Sequence, residues 1–344
     1  MTQPPPGIRH VPAAGGGLTA RRCTTASGTA HAKAILLGEH AAVYGAPALA
    51  VPLPGLTCRV TVASRHEDTA GPGRLRRAPL RDSPRAHAST AAGRLPTGLP
   101  QLIDALTRRA GLAERPDLDV EVAGAIPPAR GLGASAAVAR ASTLALDALL
   151  RLRLGAAEIF SFVQLAETAA HGHASGIDAL ATGSTSPVLL RGGRPSTPPV
   201  GADAWIVVAD SGTSGSTRQA VTMLRASFGT HPLRRERFLA RSTAVTELAL
   251  GALRDGRLDT LGRCLTDTHH LLADQRLSTG RLDDLVVTAL EHGALGAKLS
   301  GGGLGGCLVA LTDSAAGART LAAHLVRHGA TRTWTAVVQG GEPT

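Results

Sequence analysis

Three short stretches gather residue types that could move a phosphate or a proton. In KAILLGEHAAVYG, Lys33 to Gly45, a cation, a carboxylate (Glu39) and an imidazole (His40) fall within eight residues on a glycine-punctuated segment. The same pattern is also compatible with a strand and turn carrying exposed charge. In AETAAHGHASGID the carboxylates Glu167 and Asp178 stand eleven residues apart. Glu167 lies on a helical pattern and Asp178 beyond its Gly-terminated end, so the two meet only if the chain folds back. His171 and His173 alternate in a turn with no third ligand nearby in sequence, and read as loop histidines rather than a metal site. The third stretch, GLGASAA from Gly131 to Ala137, precedes an Ala/Leu-rich run reaching Leu150. Glycines two apart let successive N–H groups point into one concavity, and the following helix adds its unpaired amides and positive dipole end. Ser135 falls in the first turn, where a hydroxyl can reach a phosphate or its metal. Taken alone, this stretch reads first as an ordinary strand–turn–helix corner.

A fourth stretch, SGGGLGGC from Ser300 to Cys307, matches G-x-G-x-x-G at Gly301, Gly303 and Gly306. A dinucleotide-binding turn needs a helix directly afterwards and an acid about 20 residues on. Here the β-prone CLVAL follows and no acid lies at that distance, so the glycines read as a loop between two strands that approaches a ligand or another backbone. No Walker A sequence occurs. The chain has only two lysines, Lys33 and Lys298, against 34 arginines, and both lie beside glycine-bearing motifs. Lysine differs from arginine as a compact charge with a tunable pKa, so its retention at two places asks for a local reason.

The elements that position these residues follow from periodicity. LTCRVTVAS alternates Leu56, Cys58, Val60 and Val62 against polar neighbours, a half-buried strand. A short helix over LPQLIDALTRRAGL and a strand over LDVEVAGAIP lead into the glycine turn. The helix after Gly133 carries a wide stripe through Ala137, Ala141, Leu144 and Ala148 and must be buried. A second helix spans about Ala156 to His171, and residues 182–203 are turn-rich. AWIVVAD is a buried strand; helical patterns occupy roughly 217–255 and 256–276, and another lies near 281–292. The strands around the second glycine loop, a last helix and the strand TWTAVVQ complete the chain. This is an α+β chain in two domains, 25–195 and 196–344, with a disordered Pro/Gly-rich tail at 1–24 and a long mobile insertion at 64–96.

With 344 residues, 43% of them apolar, the chain can bury a large core, but aromatics are only 2% and Leu, Val and Ala must build it. The net charge of +10 is spread along the chain and lacks the aromatic supply of a base-stacking surface. It reads as a diffuse field favouring anionic ligands, with neither nucleic acid nor membrane as partner. Cys23, Cys58, Cys264 and Cys307 form no metal-ligand spacing and read as thiols in a reducing compartment. No continuous apolar segment marks a secretory signal or a membrane span, and a cytoplasmic location is expected.

KAILLGEHAAVYGAPALA, PPARGLGASAA and KLSGGGLGGC, in that order and spacing, resemble the three motifs of the GHMP small-molecule kinases. GEH followed by AVYG and PALA is similar to the mevalonate kinase branch of that family. AETAAHGHASGID resembles the family's HGxPSGxD segment, and DSGTSGSTRQAV its loop near the substrate; the resemblance covers about residues 28–312. It implies a ribosomal-protein-S5-like N-terminal domain, a ferredoxin-like C-terminal domain, and an active site in the cleft between them. It also implies ATP as co-substrate, Mg²⁺, and phosphorylation of the 5-hydroxyl of mevalonate to 5-phosphomevalonate in isoprenoid precursor synthesis. By the same resemblance, Pro128, Arg130, Gly131, Leu132, Gly133, Ala134, Ser135 and Ala136 would hold ATP, and Ser135 and Glu167 would ligate Mg²⁺. Asp178 would take the proton from the substrate hydroxyl, with Lys33 beside it stabilising the developing alkoxide. Glu39, His40, Thr217 and Gly302 would join Lys33 and Asp178 around the substrate. A homodimer falls within the family's range. Ala134, Ala174, Ala179 and Leu304 depart from common family residues and touch fine contacts more than the chemical step. Phosphomevalonate or sugar phosphorylation, and a catalytically silent family member, are the alternatives.

Overall fold

The computed structural model describes residues 24–64 and 96–341. Residues 1–23 of the expected tail, Cys23 among them, and residues 65–95 of the expected insertion therefore lie outside the described residues, while Thr24 and Ser64 belong to strands. Strands β1 (Thr24–Leu37) and β2 (Ala48–Ser64) form a long antiparallel hairpin, joined through the GEH segment and a single 3-10 turn at Ala42–Tyr44. The alternation at Leu56, Cys58, Val60 and Val62 does place those side chains in the core. The strand begins well before Leu56, however. Pro52, Pro54 and Gly55 fall within it: the register steps from His31–Thr57 to Ala32–Leu53, and Pro54 to Leu56 bulge out of the ladder.

Helix α1 (Leu99–Arg109) and strand β3 (Leu118–Gly124) follow, and β3 pairs with the far end of β2. Then come α2 (Ala134–Leu150), α3 (Ala156–His171) and the single turn α4 (Ile177–Ala181). The expected turn-rich stretch after residue 182 contains a short hairpin, β4 (Val188–Arg191) with β5 (Arg194–Ser196), turned at Gly192–Gly193. Four and three residues are too few to show periodicity. Strand β4 pairs with Ala48–Ala50 of β2 and completes a five-stranded sheet.

The second sheet starts at β6 (Ala204–Asp210). Helices α5 (Thr217–Thr230), α6 (Pro232–Arg254), α7 (Leu258–Ala273) and α8 (Gly280–Glu291) lead to β7 (Gly296–Ser300) and β8 (Cys307–Thr312). Helix α9 (Ala315–Arg327) and β9 (Arg332–Val338) end it. The helical pattern expected over 217–255 divides at His231, because Pro232 has no N–H to continue the ladder and opens a new helix instead. In space the strands run β7-β8-β6-β9, all antiparallel. Numbered from β6 this is the order 4-1-3-2 with helices after the first and third strands, the ferredoxin-like arrangement.

One apolar cluster runs from β1, β2 and α2 through to β6, α6, α7 and β8, so the two sheets share a core. A second fills the space under α5, α8 and α9. Leu, Val and Ala dominate both, as the scarcity of aromatics requires. Tyr44 meets the edge of Phe228 on α5, with ring centroids 6.1 Å apart, and ties the GEH turn to the second half. The first sheet ends at Ser196 and the second begins at Ala204.

Candidate active site

A cleft between the two sheets collects the chemistry-bearing stretches. Its floor is the start of α2. Gly131 and Gly133 have φ of +77° and +72°, which glycine adopts without a Cβ penalty, and the helix begins without a side-chain cap. The amides of the first turn therefore keep their capacity for an anionic ligand. Ala134 and Ser135 line the cleft together with Arg130, Gly131 and Gly133. Leu132 and Ala136 bury their side chains in the core and offer only backbone, while Pro128 is exposed at the edge.

Lys33 comes from the middle of β1 and is 1% exposed. Its Nζ lies 2.9 Å from Asp178 Oδ1 and donates to Gly131 O at 3.1 Å. A strand, a glycine turn and the short α4 thus meet at one ammonium. Asp178 sits in the first turn of α4 and keeps 32% of its side chain exposed toward the cleft. Arg140 of α2 steadies that turn by donating to Ala179 O at 3.2 Å.

The chain does fold back between Glu167 and Asp178. Glu167, on the inner face of α3, is buried, and its Oε1 has no hydrogen-bond partner among the described residues. Burial first, then the charge of Asp178, pushes its carboxyl up to about 7, against the Ser135 hydroxyl and the Lys33 ammonium, which pull it down. A buried carboxylate with an orphaned oxygen beside a serine hydroxyl fits a hard divalent cation, which would supply the missing partner and relieve the desolvation. His171 Nε2 lies 3.8 Å from Glu167 Oε2, and burial lowers the pKa of the imidazole. His173 also lines the cleft, with its Nδ1–H donating to Gly172 O. Neither belongs to a three-ligand cluster among the described residues.

The opposite wall is the GEH turn. Glu39 is 4% exposed and pairs with the ammonium of Lys298, which is fully buried on β7. Lys298 also donates to Ile35 O at 3.3 Å and Leu299 O at 2.6 Å. Burial lowers its pKa, and Glu39 holds it up. Glu39 Oε2 is left without a partner among the described residues. His40, at φ +62°, presents Nε2–H to Gly302 O at 3.0 Å. Burial, with Lys298 nearby, pulls its pKa down to about 4, so the ring is neutral at pH 7 and Nδ1 carries a lone pair. Thr217 at the start of α5 lines the cleft beside Gly302, where a Cβ would stand 2.7 Å from Thr217 Oγ1.

Ser300 to Cys307 is the predicted glycine loop between two strands. Its backbone packs on the other glycine turn, where a Cβ on Gly301 would meet Gly131 Cα at 2.6 Å. Arg130 bridges the halves, 2.8 Å from Asp210 and donating to Ser214 Oγ at 2.8 Å. Arg218 of α5 donates to Ala170 O at the end of α3 on the other side. All the residues singled out from the sequence for substrate and metal therefore converge here. Lys298, Ser300 and Asp210 were not among them. The rarity of lysine pointed to Lys298, but its partner is 259 residues away in sequence.

Residues 99–185 match the GHMP kinases N terminal domain, and residues 249–331 match GHMP kinases C terminal. The mevalonate kinase of Pyrococcus horikoshii is 31% identical over 299 residues, covering 82% of this chain and 87% of its own. That of Aeropyrum pernix is also 31% identical, over 85% and 89% of the two chains. In structure, the chain is similar to L. major mevalonate kinase in complex with R-mevalonate. That pair has a TM-score of 0.76 and 26% identity, over 94% of this chain and 98% of the other. A Streptococcus pneumoniae phosphomevalonate kinase shares the fold at 18% identity with a TM-score of 0.68. The chain belongs to the GHMP kinases, and within them to the mevalonate kinases.

Proposed function

We propose that the chain transfers the γ-phosphoryl group of ATP to the 5-hydroxyl of mevalonate, giving 5-phosphomevalonate and ADP. The observation that carries this reading is the Lys33–Asp178 pair, held at 2.9 Å in the same cleft as the unpartnered oxygen of Glu167. Phosphoryl transfer needs positioning and charge neutralisation more than covalent chemistry from the protein. The triphosphate would lie on the Arg130–Ser135 turn against the first-turn amides of α2. Ser135 Oγ and Glu167 would hold Mg²⁺, which when bound neutralises charge on the phosphates.

Asp178 accepts the hydroxyl proton as the new P–O bond forms to the substrate oxygen. The bond from the γ-phosphorus to the bridging oxygen breaks, and ADP leaves with that electron pair. Lys33 stabilises the alkoxide that develops beside it. Glu39 and the neutral His40, with Thr217 and Gly302, would contact the substrate on the opposite wall. A cytoplasmic location accords with the free buried thiols Cys58, Cys264 and Cys307.

The test is ADP release from purified protein with mevalonate, phosphomevalonate, galactose and homoserine as acceptors. Turnover with mevalonate well above the others is the expected result. Turnover with another acceptor and none with mevalonate would sink the proposal.

A further inference from the structure

Away from the cleft, three imidazoles meet where α8 and α9 end. His324 lies in the last turn of α9, His328 follows that helix at i+4, and His292 follows α8. Ring centroids are 4.1 Å apart for His292 and His324, and 5.1 Å for His292 and His328. One ligand nitrogen from each lies within 4.8 Å of the others. None of the three lines the cleft.

The hydrogen bonds select which ring nitrogens of His292 and His328 stay free to ligate. His292 Nδ1–H donates to Thr288 O at 2.9 Å, and His328 Nδ1–H donates to His324 O at 2.8 Å. A carbonyl can only accept, so both rings carry the proton on Nδ1 and leave a lone pair on Nε2. A backbone carbonyl behind the imidazole is the support that metal-bound histidines use to fix tautomer and orientation.

We propose that His292, His324 and His328 form a three-histidine site for a divalent cation of the zinc class, which fastens the end of α8 to the end of α9. Tetrahedral coordination with Zn–N bonds near 2.0–2.1 Å puts ligand nitrogens about 3.4 Å apart, a short rotamer adjustment for side chains at a helix surface. Imidazole selects Zn²⁺, Ni²⁺ or Cu²⁺ over Mg²⁺, so the cation of the phosphoryl-transfer site does not compete here. Burial, then the charges of His292, Arg327 and His328, lowers the pKa of His324.

The experiment uses the untagged full chain, stripped with chelator and titrated calorimetrically with Zn²⁺ in excess Mg²⁺. Co²⁺ is added in parallel to report tetrahedral nitrogen coordination in its visible spectrum. One equivalent of Zn²⁺ should bind and raise Tm. His324→Ala should abolish both effects, and His292→Gln should weaken binding by at least about tenfold, with ADP release at saturating Mg²⁺ unchanged in each. Absence of Zn²⁺ binding in the parent chain would overturn the site, leaving bare histidines at helix C-termini. So would one equivalent bound undiminished in both variants, which would place the metal on other histidines.

Discussion

Glu167 couples the chemistry of the cleft to pH. Its folded pKa of about 7 lies above the ordinary carboxylate value, so ionising it costs stability progressively as pH rises from about 4.5 to 7. A bound cation removes that cost and, below pH 7, must displace a proton to do so. The free Mg²⁺ that half-saturates ADP release, at fixed Mg·ATP, should therefore rise about tenfold per pH unit below 7 and level off above it. Glu167→Gln should need more Mg²⁺ at every pH and lose that slope; an unchanged slope would place the titrating group elsewhere. At the neighbouring pair the reacting proton is at stake. Asp178→Asn and Lys33→Met should each lower kcat by about 10²–10⁴-fold, while nucleotide affinity, measured by calorimetry, changes little. Near-parental turnover in Asp178→Asn would show that no base is needed.

At the scale of elements, β7 reaches the GEH turn through one buried ion pair, Lys298 with Glu39. Removing one member of such a pair leaves a buried charge uncompensated. Lys298→Met should cost about 3–5 kcal/mol in denaturant unfolding, and adding Glu39→Gln should recover much of that loss. The KM for mevalonate should stay raised in the double variant, because the turn loses its carboxylate, and a restored KM would remove Glu39 from the substrate wall. The sequence made half of this pair visible. Two lysines against 34 arginines marked Lys298, and a glutamate in a glycine turn marked Glu39, but nothing local could join residues on β7 and the first hairpin. Gly131 to Ala137 was readable because turn and helix start are contiguous, so backbone chemistry and ligand chemistry share one stretch. The β4–β5 hairpin and the first half of β2 were not, since their pairing comes from register with distant strands. The prolines at 52 and 54 even argue against a strand until the bulge is seen.

Across the whole molecule, the two halves meet glycine to glycine, and this contact sets how closely the phosphate turn approaches the substrate wall. Gly131 and Gly301 both take positive φ, +77° and +85°, and each leaves no room for a Cβ against the other's loop. Arg130 with Asp210 and Arg218 with Ala170 O pin the halves on either side of that contact. A methyl at residue 301 would meet backbone rather than a flexible side-chain end, so relief requires the loops themselves to part. Gly193, in the β4–β5 turn, supplies the control, with φ +77° and nothing within 4 Å of an added Cβ. Gly193→Ala should cost only the left-handed strain, about 1–2 kcal/mol, with kcat/KM unchanged. Gly301→Ala carries the same strain plus the clash, and should lose about 1–3 kcal/mol more in unfolding. Its kcat/KM should fall for both ATP and mevalonate, because the turn that holds one substrate is pushed from the wall that holds the other. Equal stability losses in the two variants, with kcat/KM intact in both, would mean that the glycine contact does not hold the cleft closed.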